Sequence, residues 1–342
     1  MLWLDKNRPQ RLDELSYHDD LSRYLDILGQ RKDIPHLLFY GPPGAGKKTR
    51  ILCLLRKVFG SSVSSVHMES RSYKFGTSST VTDVPIVTSS HHLEITPSDQ
   101  PKHDRHIIQE LIKEVASSRS LDKQTSFKVV VINDVDKLSK GAQHALRRTM
   151  EKYMASCRLI LVSSSISRVI DPIRSRCLCI RVPAPSVDDI SAVVDFVARK
   201  EGAKVQGNQI QEIVQGCGRN LRRALLTLEG THIAGKMAPP DWEVYTSQIV
   251  DKIITEPSPK GIVAVRKMLY ELLVHCVPCD VIFNTLTRFL LNKITNQEVC
   301  NVVIRSAAEF QFNSTKGSKD IYHLEAFVIS VMSSLKQSEF GH

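Results

Sequence analysis

The chain has 342 residues, 42% of them apolar and 24% charged, and its 46 Lys and Arg outnumber 36 Asp and Glu to leave a net charge of +10. At roughly 100 to 200 residues per domain this predicts two or three folded domains and excludes a disordered chain, and no run approaches the roughly 18 consecutive apolar residues of a membrane span. The cationic excess favours a polyanionic partner over an acidic protein surface.

The opening segment, Met1 to Pro9, sets Asp5 and Pro9 where a secretory signal needs its apolar stretch, so the chain is expected inside the cell. The first strand signal, Leu37 to Tyr40, stops at Gly41-Pro42-Pro43-Gly44-Ala45-Gly46, and Lys47 to Val58 reads as a helix. Further strands are predicted at Val63 to Met68, Phe127 to Ile132, Arg158 to Ser163 and Leu178 to Val182, with helices at Asp104 to Ser117 and Gly141 to Tyr153. Residues 69–92, rich in Ser and Thr, show no period and read as a surface loop or short strands. Strands alternating with helices predict an α/β domain with a doubly wound parallel sheet over 1–183. After Pro183-Ala184-Pro185 the strand signal ends, and Ser186 caps a small helical domain over 184–234. A Pro/Gly-containing stretch, Gly235 to Pro240, opens an all-α third domain over 235–342, helical in spacing from Trp242 to Leu335. The eight cysteines read as reduced, mostly buried hydrophobes; Cys276-Val-Pro-Cys279 has no second pair at zinc spacing, so no metal centre is expected.

Gly41 to Lys47 fits the Walker A pattern, in which glycines let backbone N–H groups wrap phosphate oxygens at a helix N-terminus. The next position calls for a hydroxyl that binds Mg²⁺, but Lys48 stands there, and Thr49 is turned about 100° away. A second ammonium near the phosphates would hold nucleotide by charge, uncoupling binding from hydrolysis. The partner strand, Val129 to Ile132, leads to Asn133 where the metal-associated Asp belongs and to Asp134, one methylene shorter than the usual base Glu. Both changes work against in-line attack by water.

Beyond that strand, Lys137, Lys140, His144, Arg147 and Arg148 fall on one helical face, opposite Ala142, Leu146, Met150 and Tyr153. A solvated face is the plain alternative; with the basic total, a phosphate backbone is the natural partner. Arg176, in Asp171-Pro172-Ile173-Arg174-Ser175-Arg176-Cys177, has nothing local to neutralise it and is placed to reach another subunit's nucleotide, with a surface ion pair as the rival reading. Arg219, Arg222 and Arg223 stand at a helix start that would fold over the phosphates.

Together these residues resemble the small subunits of replication factor C, the eukaryotic sliding-clamp loader of the AAA+ class. Trp3 to Pro9 looks like the family's N-terminal box with Asn7 in place of Tyr. Glu94-Ile95-Thr96-Pro97-Ser98-Asp99, Ala145 to Glu151 and Ser175-Arg176-Cys177 resemble its later boxes. Within the family, Gly46-Lys47-Lys48-Thr49, His92-Leu93-Glu94 and Ile321 to Phe327 resemble the subunit type numbered 3, or 5 in some lineages, known for a degenerate ATP site. The resemblance implies ATP or ADP bound at Gly41, Gly44, Ala45, Gly46, Lys47, Lys48 and Thr49, with Leu4 and Ser16 at the adenosine end and Arg222 reaching in from the lid. Mg²⁺ would be poorly held. Ser164 stands where the family has a sensor Asn, and Asn133 and Asp134 form a weakened partner motif. Arg176 would be an arginine finger acting in trans, Lys140, Arg147 and Arg148 would face primer–template DNA, and the third domain would be a collar in a ring of five related subunits that loads the sliding clamp PCNA in the nucleus. No membrane role is implied. Two rival readings remain open: a working ATPase that tolerates Lys48 and Asn133, and a structural collar subunit with a vestigial site.

Overall fold

The computed structural model describes residues 1–31, 33–74, 81–99, 103–117, 127–154, 156–203, 205, 207–235, 239–317 and 319–340. The chain divides into two compact units, Met1–Met237 and Ala238–His342. The first runs α1 (Trp3–Lys6), α2 (Asp19–Gln30), β1 (Leu37–Tyr40), α3 (Lys47–Phe59), β2 (His67–Lys74), β3 (Val81–Thr88), β4 (His92–Ile95), α4 (Asp104–Ser117), β5 (Lys128–Ile132), α5 (Lys140–Lys152), β6 (Cys157–Ser163), α6 (Asp171–Arg174) and β7 (Leu178–Arg181), followed by α7 (Val187–Lys200), α8 (Gly207–Gly216) and α9 (Leu221–Ala234).

The strands form one seven-stranded sheet in the order β2-β3-β4-β5-β6-β1-β7. From β4 to β7 every pairing is parallel. Parallel strands covered on both faces read as continuous apolar runs, and the pleat sends successive side chains to opposite sides. Leu38, Val130, Ile132, Leu159 and Leu161 accordingly join the core under α4 and α5. Their neighbours Leu37, Phe39, Val129, Val131 and Ile160 join the one under α2 and α3.

The edge differs from the sequence reading. Instead of a strand over Val63 to Met68, Ser61–Ser64 is a 3-10 turn and β2 begins at His67. The stretch expected as a loop or short strands holds an eight-residue antiparallel pair, His67↔Thr88 through Lys74↔Val81, while its residues 75–80 lie outside those described. An edge strand with one wet face carries polar residues such as Glu69 and Arg71, so it shows no apolar period; only β3 buries Val84 and Ile86.

Helices α7 to α9 share a core of Ile190, Val194, Ile213, Val214, Leu225 and Leu228. Ser186 Oγ accepts from the Asp189 N–H at 3.0 Å and Asp189 accepts from the Ser186 N–H at 2.9 Å, a reciprocal cap that starts α7 where expected. The helices of the expected domain over 184–234 keep this core of their own and lie within the first compact unit. Trp3 and Leu4 of α1 pack into its core, the Trp3 N–H donates to Glu229 at 3.1 Å, and Lys6 and Asn7 donate to Glu201 at 2.6 and 2.8 Å. Gly235, at φ 72°, closes α9; residues 236–238 of the expected linker lie outside those described.

The second unit contains α10 (Asp241–Thr255), α11 (Pro259–Val274), α12 (Cys279–Lys293), α13 (Gln297–Ser314) and α14 (Asp320–Phe340) around Leu269, Phe283, Leu286, Phe327 and Val331. The rings of Phe283 and Phe327 meet edge-to-face at 5.6 Å. All eight cysteines are free thiols. Burial pushes Cys157, Cys177 and Cys279 up to about 12, which keeps these thiols protonated.

His36 gives the first unit a pH dependence. It is 6% exposed, and its Nδ1 accepts the Leu159 N–H at 3.0 Å. Burial, with the Arg158 charge nearby, holds its pKa below the ordinary imidazole value; burial does the same to His92. Below about pH 6.5 the unfolded chain takes up protons that the folded chain refuses, so stability is full above that pH and falls below it, by at most about 1.4 kcal/mol per pH unit for each histidine. Urea unfolding of the chain at pH 7.5 and 5.5 is expected to show this loss. His36→Asn, which removes the titration, is expected to reduce the difference between the two pH values.

Candidate phosphate-binding site

At the end of β1 the chain enters Gly41 to Gly46 and emerges as α3. Gly44 and Gly46 take φ of 75° and 88°, a conformation that side chains strain. The loop is also crowded from below, because a Cβ on Gly46 would lie 2.4 Å from Tyr17 Oη and one on Gly41 1.9 Å from the Val182 carbonyl oxygen. Helix α3 opens on Gly46 with no side-chain cap, which leaves its first-turn N–H groups to an anion.

Three cations gather here. Lys47 Nζ folds into the loop and donates to the carbonyls of Gly41 at 2.5 Å and Pro42 at 2.9 Å. Burial lowers its pKa against the pull of Asp136 and Asp134, while Arg222 pushes the same way as burial. Arg50 is fully buried: Nη2 donates to the Tyr17 carbonyl at 2.9 Å, Nη1 to the Ala45 carbonyl at 3.5 Å, and the guanidinium lies 4.6 Å from the Tyr17 ring centre. Among the described residues no carboxylate pairs with Lys47 or Arg50. The sequence reading passed over Arg50, although its signal was present as an arginine in helical register with Leu54 and Val58 of the buried face.

Lys48, expected as a second ammonium at the phosphates, is paired with an acid. Its Nζ pairs with Glu94 Oε1 at 2.5 Å, and Asn133 Nδ2 donates to the same oxygen at 2.8 Å. Glu94 is the functional residue that sequence reasoning underused, quoted only within a family box; its signal is a carboxylate inside His92-Leu93-Glu94-Ile95, a strand buried at all four positions. Pairing of β4 with β5 sets Glu94 beside Val131, two residues before Asn133. Thr49 lies half-buried one position further along α3.

The acids after β5 are committed elsewhere. Asp134, at a left-handed φ of 49°, pairs with Lys137 at 2.7 Å. Asp136 is 7% exposed and accepts from Ser164 through its N–H at 3.3 Å and its hydroxyl at 2.5 Å. Ser164 is thus turned to the end of β5.

The lid helix meets the loop from above. Asn220 Oδ1 caps α9 by accepting the Arg223 N–H at 3.2 Å, and a Cβ on Gly44 would lie 1.7 Å from that oxygen. Arg222 follows, exposed, in the first turn. Arg219 donates to the carbonyls of Pro185 at 3.0 Å and Ala184 at 2.9 Å, fixing the joint between sheet and lid. Of the two residues assigned to the adenosine end, Leu4 packs in the lid core and Ser16 is exposed. Tyr17 is the residue of that segment that touches the loop, its hydroxyl donating to the Ala45 carbonyl at 3.2 Å.

On the far side of the sheet's end, α5 begins at Lys140, so Lys137 drops from the basic face into the preceding 3-10 turn. Lys140, His144 and Arg148 are exposed and Arg147 half-buried, while Ala142, Leu146 and Met150 are buried opposite them. Arg176 finds a partner outside its own segment, Glu151 Oε1, at 2.7 Å from both Nε and Nη2, so the ion-pair reading also describes it, and Arg147 Nε stands 3.6 Å from that same oxygen.

Family models match the chain piece by piece. A model of the replication factor C subunit 3 C-terminal domain covers 242–339, one of an AAA+ ATPase lid domain covers 192–232, and one of a DNA polymerase III delta subunit covers 18–186. Replication factor C subunit 5 of Oryza sativa subsp. japonica is 44% identical over all of both chains. Replication factor C subunit 3 of Homo sapiens is 44% identical over 98% of this chain and 96% of its own. The chain belongs to the replication factor C family, in its subunit 3/5 branch. The solved Holliday junction branch migration motor RuvB of Thermotoga maritima matches with a TM-score of 0.52 at 14% identity, over 83% of this chain and 90% of that one, and so shares the AAA+ fold.

The AAA+ fold implies nucleotide, and the residues present fit it: an uncapped helix start, glycines that leave room, and Lys47 and Arg50 without carboxylate partners. They do not fit Mg²⁺, which takes oxygen ligands, mainly carboxylates and waters. Around Lys47 and Lys48 stand an ammonium, an amide and three carboxylates already engaged by other donors. Gly46→Ala combines a strained φ with the clash against Tyr17, so it is expected to destabilise the first unit by about 1–3 kcal/mol or more in urea unfolding. Gly60→Ala, at φ 82° with open space around it, provides the control that carries the backbone strain alone.

Proposed function

We propose that this chain is a nuclear subunit of a heteropentameric clamp loader, which opens the sliding clamp PCNA and places it on primer–template DNA with ATP. Its own site, Gly41 to Thr49, holds ATP or ADP and hydrolyses it little or not at all. The other replication factor C subunits are its partners, Arg176 completes a neighbour's ATP site, and Lys140, Arg147 and Arg148 grip the duplex backbone.

One observation carries this reading: an intact phosphate loop beside a hydrolytic apparatus that is tied up. Asp134, in the base position, is paired with Lys137, and Asn133 and Lys48 are joined through Glu94. Water attack on a γ-phosphate needs a free, preorganised polar group, and losing one costs about 10² to 10³ in rate. The Arg176–Glu151 pair is compatible with a trans role, since a surface ion pair contributes only about 0–1 kcal/mol and exchanges for a phosphate at little cost.

The test is the ATPase rate of the reconstituted complex with clamp and primed DNA. Arg176→Ala is expected to lower it, by as much as about 10³ in the site it completes. Lys47→Ala is expected to leave the rate nearly unchanged while abolishing nucleotide binding by this chain. The reverse pattern would establish an active ATPase here. In the same complex, Arg147→Ala with Arg148→Ala is expected to weaken DNA binding equally across sequences and to reduce the salt slope by about one per lost phosphate contact.

A further inference from the structure

We infer that the Lys48 ammonium takes the place of the divalent cation, so that this site binds a nucleoside di- or triphosphate free of metal. The inference rests on the nucleotide reading above and specifies the form of the ligand.

Position is the first support. Lys48 stands directly after the loop lysine, in the first turn of α3, and its Nζ is held between α3 and the ends of β4 and β5 by Glu94 at 2.5 Å. Asn133 Nδ2 meets the same carboxylate oxygen at 2.8 Å. A cation, an acidic acceptor and the residue at the strand end are therefore all present, but the cation is covalently part of the chain.

Charge is the second. The Glu94 side chain is 10% exposed, so its negative charge needs a cation, and Lys48 supplies it. Lys47, Arg50 and Arg222 have no carboxylate partner among the described residues. A diphosphate brings about three negative charges near neutral pH, matching these three cations without a metal. A divalent ion placed next to Lys48 would face like-charge repulsion with no unengaged carboxylate to offset it. Asp134 is held by Lys137, and Asp136 is 7% exposed and held by Ser164.

Reach is the third. The Lys48 side chain is half exposed, and an ammonium has three N–H donors, so with one on Glu94 it keeps others to offer a phosphate oxygen.

ADP binding by the full chain, measured calorimetrically in excess Mg²⁺ and again in EDTA, tests this. Affinity in EDTA is expected to equal or exceed that in Mg²⁺, where the metal competes for the phosphates. A loss of about tenfold or more on chelation, some 1.4 kcal/mol, would overturn the inference and leave the nucleotide reading standing. Absence of binding in both buffers would overturn the two together. The double variant Lys48→Thr/Asn133→Asp is expected to acquire chelator sensitivity and, with ADP and Mn²⁺, an immobilised-ion EPR spectrum that the unaltered chain lacks. An immobilised Mn²⁺ signal from the unaltered chain, or a double variant still indifferent to EDTA, would sink the assignment to Lys48.

Discussion

A carboxylate inside a sheet must be neutralised or satisfied, and Glu94 is such a group, set in a strand buried at every position. Both departures of this chain from the ordinary nucleotide-hydrolysing pattern meet on its Oε1. Lys48 provides the charge and Asn133 a neutral donor. An aspartate at 133 would set a second negative charge against Glu94, and a threonine at 48 would remove the cation that balances the first. The substitutions are therefore physically coupled: each is tolerable because the other is present, and Glu94 is what couples them. Loop, strand end and neighbouring strand form one electrostatic unit, and the rest of the site is arranged around it.

The other arginines show the same economy of partners. Arg50 lies wholly inside the first unit, where two backbone carbonyls accept from its Nη atoms and the face of Tyr17 lies against its guanidinium. These neutral acceptors leave its charge uncancelled, which keeps the potential under the phosphate loop positive, and its buried Nε has no hydrogen-bond partner among the described residues. Arg176 is the opposite case, exposed and paired with Glu151, which also stands near Arg147. One carboxylate thus lies between Arg176 and the helix face that carries Lys140, His144 and Arg148. Its hold on either arginine is weak, as exposed pairs are.

What the sequence disclosed, it disclosed through periodicity and special backbone. Strand β1, the glycine loop, α3, β5 and α4 are legible because apolar runs and Gly44 and Gly46 report local constraints. The β2–β3 hairpin is not, because an edge strand with a wet face mixes Glu69, Ser70 and Arg71 into its period. The attachment of α1 to the lid depends on Trp3 and Glu229, 226 positions apart, and no local signal encodes it. Arg176 looked unneutralised for the same reason, its partner lying 25 residues away on α5. Glu94 and Arg50 were the two legible anomalies, charged residues at positions whose neighbours demanded apolar ones.

Lys47 stands ready to exchange its partners in the loop. Its ammonium is bound to two carbonyls of its own loop, neutral acceptors that a phosphate oxygen outcompetes because hydrogen bonds to charged acceptors are about twice as strong. Filling the loop is thus an exchange of weaker for stronger hydrogen bonds to Lys47. The same exchange is felt in the lid. Asn220 Oδ1 lies against Gly44 while capping α9, so a ligand in the loop meets the first turn of the helix that carries Arg222. Sheet and lid belong to one compact unit, tied through Arg219 and α1, so the lid lies in direct contact with the loop.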